Sequence, residues 1–199
     1  MYKKAKIGIG MPIYNSEKTI RKAIYGILNQ PCKDFELIIS DNFSTDKTRE
    51  ICLEIAKEDP RIKYVQQEQN IGAQSNFSYV LDKSEYDYFM WHAGDDFIDD
   101  CSFFERALTI LEKDVSVIGV SAQALISDDY AEIYDKGNQN IASSSTCKRI
   151  SKFIINPGVN SRFYSLYRKK NVAQVYSGQS YWAWDIVFSI SMLSAGKWI

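Results

Sequence analysis

Residues 35–59 read FELIISDNFSTDKTREICLEIAKED, and this stretch contains the structural unit that recurs through the first half of the chain. The apolar run FELIIS predicts a buried strand, and the polar segment after it predicts a loop. Ile51 and Ile55 share one side of the helix predicted next, and Ser44 or Thr45 is placed to cap its start. The unit is therefore a strand, a polar loop and an amphipathic helix.

The same unit recurs on both sides of this stretch. Apolar runs predict further strands at 6–14, 62–67, 86–92 and 115–126, and helical periodicity predicts helices at 15–30, 73–84 and 102–114. This alternation predicts an α/β fold, a mostly parallel sheet with helices on both faces. The later pattern is weaker and predicts a loop at 135–149, a strand at 162–168 and a helix at 181–196.

Composition narrows the range of functions. Hydrophobic residues make up 45% of the 199 residues and charged residues 25%, as in an ordinary globular domain. The formal net charge of -1 gives no reason to expect a nucleic-acid partner, which would usually need a basic face. Four cysteines occur without a CxxC pair, which argues against a disulfide framework and favours a reducing, cytoplasmic compartment.

Polar segments follow four of the predicted strands. They read PIYN (12–15), DNFSTD (41–46), QNIGAQSN (69–76) and HAGDDF (92–97). Ligands of open parallel sheets bind beyond the carboxyl ends of the strands, so these segments predict a binding site at one edge. The chain has neither GxGxxG nor GxxxxGK[ST], which argues against a Rossmann dehydrogenase and against a P-loop NTPase.

Asp95 and Asp96 directly follow an apolar strand. Two carboxylates there can hold Mg²⁺ or Mn²⁺, which in turn neutralises a diphosphate. A solvated turn is the alternative, and the pair alone favours it. Asp99 and Asp100 are interpreted as helix-start residues, and His92, the single histidine, is more often structural than a ligand at such a place.

The remaining candidates each have a functional and a structural interpretation. Asp41 can accept the imino N–H of a base or close a turn, and Tyr14 can stack on a base or pack on the next helix. Gly72 permits positive φ or a close backbone approach. Asp185 is a candidate general base, although the residues alone favour a helix-start aspartate that stabilises the dipole.

Taken in order, the segments MPIYN, LNQPCKDFELIISDNFSTDKT, NIG and FMWHAGDDF resemble family 2 glycosyltransferases of the GT-A fold. The resemblance is strong from Lys6 to Leu111 and moderate for 161–168 and 184–198. It implies a Rossmann-like GT-A domain that transfers a sugar with inversion from a nucleotide-sugar, usually a UDP-sugar, to an acceptor hydroxyl. Residues 1–115 would form the nucleotide-sugar-binding half, and residues 116–199 the acceptor-side half of the same domain, truncated at the C-terminus.

The resemblance also assigns roles to individual residues. It implies that Asp185 is the catalytic base and that Asp95 and Asp96 hold ribose and the diphosphate-bound Mn²⁺ or Mg²⁺. It implies a donor site formed by Pro12, Tyr14, Asn15, Glu17, Asp41, Asn42, Asn70, Gly72 and Asn76, in which Asp41 with Asn42 reads the base. The acceptor would be a saccharide or lipid-linked saccharide in polysaccharide or glycoconjugate synthesis, with peripheral association at the inner face of the membrane through a missing C-terminal part.

The sequence departs from the family pattern at four positions. Ala93 stands where the commoner version has a further Asp, Asn42 replaces a second acidic residue, Phe77 replaces an Arg, and Asp185 lacks a preceding Glu. Two alternatives follow. A sugar-nucleotide nucleotidyltransferase is disfavoured, because the loop after the first strand lacks its glycines and Arg. A non-catalytic nucleotide-sugar-binding homologue is compatible with the departures.

Overall fold

A computed structural model describes residues 7–127, 132–134, 140–158, 160–176, 178 and 183–199. The chain divides into two compact units, Met1–Glu105 and Arg106–Ile199. The segments 128–131 and 179–182, the second of which includes Trp182, lie outside the described residues.

The first unit is an open parallel sheet with helical connections. Its strands are β1 (Ile7–Ile13), β2 (Phe35–Asp41), β3 (Ile62–Gln66) and β4 (Tyr88–Trp91), and its helices are α1 (Ile20–Leu28), α2 (Thr48–Glu58) and α3 (Ala73–Lys83). The strand order is β3-β2-β1-β4, and every pair is parallel. The predicted α/β class with a mostly parallel sheet is confirmed.

The central strands of this unit are buried along almost their whole length. All seven residues of β1 are buried, and so are six of the seven in β2. Helices cover parallel sheets on both faces, which explains the nearly continuous apolar runs of these strands. Gly10 makes close packing possible, because a Cβ there would lie 2.6 Å from Cγ2 of Val80 in α3.

Two helices of the first unit, α1 and α2, begin later than their cap signals predict. The helix predicted from residue 15 begins at Ile20, and the helix predicted to follow Ser44 or Thr45 begins at Thr48. The polar residues before α1 and those before α2 instead form hydrogen bonds with one another, between the two loops. Asp100 accepts hydrogen bonds from the N–H and the hydroxyl of Ser102, which agrees with its predicted helix-start role.

The second unit is built from shorter elements. They follow α4 (Phe103–Lys113) in the order β5 (Val117–Val120), β6 (Leu125–Ser127), β7 (Glu132–Tyr134), α5 (Thr146–Ile155), a 3₁₀ turn (Ser161–Tyr164), β8 (Leu166–Arg168), α6 (Lys169–Val175), α7 (Trp184–Ala195) and β9 (Lys197–Trp198). Strand β5 pairs with β8 antiparallel and with β9 parallel, and β6 pairs with β7 antiparallel. No helix in the described part of the chain combines the length and the apolar character needed to cross a membrane.

Several sequence-based boundaries in this unit are wrong. The strand predicted over 115–126 is two strands, β5 and β6, separated by a loop. Helix α5 begins inside the predicted loop 135–149, and the predicted strand 162–168 keeps only three residues after a 3₁₀ turn. The last predicted helix is confirmed as α7.

Arg149 joins α5 to the end of α7 from a buried position, with only 5% of its surface exposed. Its guanidinium donates to the main-chain oxygens of Leu193 at 2.8 Å and of Ser143 and Ser144 at 2.8 and 3.0 Å. Carbonyls at a helix C-terminus lack partners within the helix, so a cation there satisfies them and complements the helix dipole. The buried charge is thus neutralised by backbone dipoles.

We expect Arg149→Met to lower the free energy of unfolding by about 2–3 kcal/mol, because it leaves buried carbonyl oxygens without donors. Urea denaturation followed by circular dichroism measures the change. The control is Lys148→Met at the exposed neighbouring position, where a change within about 0.5 kcal/mol is expected. Equal stability of the two variants would show that the carbonyls find other partners.

Candidate functional site

The loop after β1 and the loop after β2 are joined through Asn15. The N–H of Asn15 donates to the hydroxyl of Ser44 at 2.9 Å, and the side-chain oxygen of Asn15 accepts from the N–H of Thr45 at 2.8 Å. Asn15 takes a left-handed backbone conformation with φ of 49°, which asparagine tolerates better than most residues. One residue therefore bonds the second loop through both its backbone and its side chain.

A second reciprocal pair lies at Glu17. Its N–H donates to the carboxylate of Asp46 at 3.1 Å, and its own carboxylate accepts from the N–H of Lys47 at 3.0 Å. The N–H of Ser16 also donates to the hydroxyl of Thr48 at 2.7 Å. These bonds satisfy backbone donors that would otherwise need water, and they hold the two loops as one surface.

Asp41 ends β2 and is fully buried. One carboxylate oxygen accepts from the N–H of Ser44 at 2.8 Å, and the other accepts from the hydroxyl of Tyr64 at 2.7 Å. Burial, and then the bond to Asp41, raise the pKa of Tyr64 above its usual range. In this conformation Asp41 holds the turn and β3 together. Sequence reasoning missed Tyr64, which is 23 positions away and has no motif around it.

The loop after β3 is joined to the same edge by two asparagines. The side-chain amide of Asn42 donates to the side-chain oxygen of Asn70 at 3.0 Å, and Asn42 accepts from the N–H of Ile71 at 2.8 Å. Of the two interpretations of Gly72, the structure shows the positive φ, at 81°, and no close approach, since nothing lies within 4 Å of the place where a Cβ would stand. Three consecutive loops thus form one continuous polar edge.

Asn76 lies inside the first unit. Its amide donates to the main-chain oxygen of Ser40 at 2.9 Å, and its side-chain oxygen accepts from the Ser40 hydroxyl at 2.5 Å. Both of its polar groups therefore tie α3 to β2. Pro12 is likewise buried, within β1 and opposite Ser40 in register.

The predicted donor-site residues consequently divide by exposure. The residues exposed at the loop edge are Tyr14, Asn15, Glu17, Asn70, Gly72, Asp95 and Asp96. The residues buried beneath the edge are Pro12, Asp41, Asn42 and Asn76. The exposed members can contact a ligand directly. The buried members hold the loops that present them.

Asp95 and Asp96 follow β4, with Gly94 packed against the end of β1. A Cβ on Gly94 would lie 2.9 Å from Cγ2 of Ile13 and 3.1 Å from the hydroxyl of Ser16, so glycine allows the acidic turn to approach the first loop. Loss of water around the carboxyl group, and then the charge of Asp95, raise the pKa of Asp96. The acidic turn therefore lies beside the joined loops.

This acidic pair fits a divalent cation brought by a ligand. In the described part of the chain neither carboxylate has a Lys or Arg ion-pair partner, and no group of three or more His, Cys, Asp and Glu is placed to hold a metal ion. Two carboxylates are few for a dedicated protein site, but they suffice when phosphate oxygens and water complete the shell. Loss of water and then the charge of Asp95 disfavour the ionised form of Asp96, and a bound cation would favour that form.

His92 lies buried below the acidic pair, with 2% of its surface exposed. Its ring hydrogen-bonds the backbone of Asp96, while Nε2 has no partner in the described residues. Burial lowers the pKa of His92 to about 4, so the ring is neutral at pH 7. The histidine supports the acidic turn from below.

We expect stability to fall between pH 6.5 and about 4 because of His92. Its unfolded pKa is near 6.5 and its folded pKa is about 4, so the unfolded chain binds the extra proton in this window. Stability is full above pH 6.5, and about 3 kcal/mol is lost as the pH falls to about 4. Urea midpoints measured across this range check the slope.

His92→Asn is the matched variant, since its amide can still donate toward Asp96. We expect the variant to lose less stability than the wild-type chain over the same pH range. Because the chain has a single histidine, nuclear magnetic resonance can follow its titration without overlap. A histidine that titrates near 6.5 would contradict the burial of this ring.

Asp185 lies in the first turn of α7 in the second unit. Its carboxylate accepts from the amide of Asn160 at 3.1 Å, and the side-chain oxygen of Asn160 accepts from the hydroxyl of Ser189 at 2.9 Å. Asn160 is buried and has φ of 57°, and Ala183, just before the helix, has φ of 56°. Asp185 is thus a half-buried carboxylate held by a buried amide, which sequence reasoning missed because Asn160 is 25 positions away.

Comparison with known proteins identifies the family. The family model described as Glycosyl transferase family 2 matches residues 9–175. An uncharacterized glycosyltransferase of Haemophilus influenzae is 33% identical over 144 residues, which cover 72% of this chain and 54% of that protein. The chain therefore spans about half the length of this curated relative.

Solved structures show the same fold at low sequence identity. Staphylococcus aureus TarS 1–349 has a TM-score of 0.75 and 19% identity, covering 98% of this chain and 58% of that chain, and it has also been solved with UDP-GlcNAc. A mannosyltransferase of Pyrobaculum calidifontis, solved with GDP-Man and Mn²⁺, has a TM-score of 0.55 and 20% identity over 61% of this chain and 36% of that chain. At these identities the likeness shows the GT-A fold.

Proposed function

Because the chain belongs to glycosyl transferase family 2, we propose that it moves a sugar from a nucleoside-diphosphate sugar, with UDP as the nucleotide, to an acceptor hydroxyl with inversion. The observation that carries the proposal is the loop edge of the first unit, where three joined loops adjoin an acidic pair that has no Lys or Arg ion-pair partner among the described residues. The TarS complex with UDP-GlcNAc supports UDP as the nucleotide.

The donor would lie along the exposed members of this edge. Tyr14 offers a ring face to the base, and Asn15 and Asn70 offer amide groups to the ribose or base. Glu17 already accepts from Lys47, so its contribution is to hold the loop in place. Preformed loops favour binding, because less conformational freedom is lost when the ligand arrives.

Asp41 has a different part in this proposal from the one the family resemblance implies. Its two oxygens already accept from Ser44 and Tyr64, and it has no exposed surface. Direct reading of a base by Asp41 would require the surrounding loops to open, because its carboxylate is buried. We therefore propose that Asp41, Asn42 and Asn76 act by holding the loops that contact the donor.

Asp95 and Asp96 would hold Mn²⁺ or Mg²⁺ together with the donor diphosphate. When bound, the cation would neutralise negative charge on the leaving nucleotide. The adjacent carboxylates, and the raised pKa of Asp96 that comes first from loss of water and then from the charge of Asp95, support this assignment. Ala93 adds no ligand, so the diphosphate and water would complete the shell.

Asp185 would act as the general base of the transfer. It accepts the proton of the acceptor hydroxyl, and the oxygen forms a bond to the anomeric carbon on the face opposite the diphosphate. The bond from that carbon to the diphosphate breaks, and its electron pair leaves with UDP. One displacement at the anomeric carbon inverts its configuration. The hydrogen bond from Asn160, anchored by Ser189, keeps the carboxylate of Asp185 oriented for this task.

The remaining family predictions are proposals of the same kind. We propose that the acceptor is a saccharide or a lipid-linked saccharide. We also propose that residues 1–115 bind the donor and that residues 116–199 serve the acceptor side. A cytoplasmic location, with peripheral association at the inner face of the membrane, stays a prediction of the family resemblance.

We expect Asp96→Ala to weaken UDP binding in the presence of Mn²⁺ by several fold or more, because a lost charged contact is worth about 1–3 kcal/mol. Isothermal titration calorimetry with UDP, with and without Mn²⁺, measures the change. Asp99→Ala is the matched control, an exposed aspartate outside the acidic pair, and it should bind like the wild-type chain. Unchanged Mn²⁺-dependent affinity in Asp96→Ala would remove the metal assignment.

We expect Asp185→Asn to bind UDP with Mn²⁺ as the wild-type chain does but to release UDP from a panel of UDP-sugars at least about 100-fold more slowly. Asp82→Asn, an exposed position on α3, is the control. Unchanged turnover would remove Asp185 as the base. A wild-type chain that binds UDP but turns over none of the panel would identify a non-catalytic homologue.

A further inference from the structure

Phe43 has an unusual backbone conformation for its residue type. Its φ is 67°, in the left-handed region that bulky side chains rarely adopt, and 46% of its surface is exposed. The other described non-glycine residues with positive φ are two asparagines and an alanine. Such a conformation persists only where the surrounding structure imposes it, and it points to a role for the side chain.

The neighbours of Phe43 impose this conformation. The N–H of Asn42 donates to the main-chain oxygen of Ile13 at 2.8 Å, and the N–H of Ser44 donates to Asp41 at 2.8 Å. Both flanking residues are therefore fixed, and the ring between them projects outward. Among the described residues Phe43 makes no aromatic or cation–π contact, so no ring or cation of the protein occupies its exposed side.

Tyr14 occupies the matching position on the neighbouring loop. The bond from Asn42 to Ile13 lies on one side of the two residues, and the bond from the Asn15 N–H to Ser44 lies on the other. Tyr14 is 48% exposed, about as much as Phe43, and the two rings do not stack on each other. Two exposed aromatic side chains are thus carried by neighbouring loops that hydrogen bonds join on both sides.

The surroundings of these rings favour a flat ligand with polar edges. The exposed amides of Asn15 and Asn70 and the carboxylate of Asp95 belong to the same loop edge. Two rings among polar groups make too small an apolar area for a protein or lipid surface. A nucleobase meets both requirements, since it has an aromatic face and hydrogen-bonding edges.

We propose that Phe43 is a base-stacking residue, which forms with Tyr14 a two-ring platform for the base of the nucleotide donor. The inference rests on the proposed function and adds a base-contacting residue to it. It also explains how a base is held at an edge where Asp41 is buried and already bonded. The strained backbone at Phe43 is then the cost of presenting a ring at this position.

The test compares Phe43→Ala with Phe43→Gly by isothermal titration calorimetry in the presence of Mn²⁺. Both variants remove the ring, but glycine accepts the positive φ without strain, so Phe43→Gly should melt at a higher temperature than Phe43→Ala. Both should bind UDP at least about fivefold more weakly than the wild-type chain. Pyrophosphate, which has no base, should bind equally well to all three.

Leu53→Ala, at an exposed apolar position on α2, is the control and should leave both affinities unchanged. Undiminished UDP affinity in both Phe43 variants overturns the inference alone. An equal loss for UDP and pyrophosphate also overturns it, because the whole loop would then be disturbed. A wild-type chain that binds no UDP overturns the proposed function and the inference with it.

Discussion

Reciprocal hydrogen bonds between the loops after β1 and β2 are the constraint on which the rest of the candidate site depends. Asn15 and Glu17 each donate through the backbone and accept through the side chain, at distances of 2.8 to 3.1 Å. Because the strands are parallel and in register, with Ile13 opposite Asp41, both loops leave the sheet at the same level. These bonds fix the positions of Tyr14 and Phe43 on the two loops.

Local pattern was sufficient to predict the first unit. The buried strand β1 is a continuous apolar run, and the buried residues of helix α1 recur with helical spacing. The α/β class and the loop edge can therefore be predicted from hydrophobic periodicity and the order of the elements. The helix starts were not predictable in the same way. Asp46 and Ser44 have the side chains of cap residues, but each also accepts from a residue 29 positions away, and local reasoning does not reveal such partners.

Partners that are distant in sequence also explain why the sequence could not distinguish the exposed site residues from the buried ones. Asp41 and Asn76 stand in segments that a ligand would approach, yet their side chains bond to Tyr64 and Ser40 inside the unit. In the second unit, α5 was missed because its first four residues belong to the polar run 135–149 and only two of its ten residues, Arg149 and Phe153, are buried. Asp185 was found, but the amide of Asn160 that orients it belongs to a distant turn.

Hydrogen–deuterium exchange with UDP and Mn²⁺ tests most directly whether the joined loops and the acidic turn form one donor site. Ligand binding slows exchange where it contacts or rigidifies the backbone. The predicted result is added protection at 14–17, 42–47, 70–72 and 93–97, with none in α5, which serves as the internal reference. Protection that is absent from these four segments, or that falls on α5 instead, would contradict a donor site at this edge.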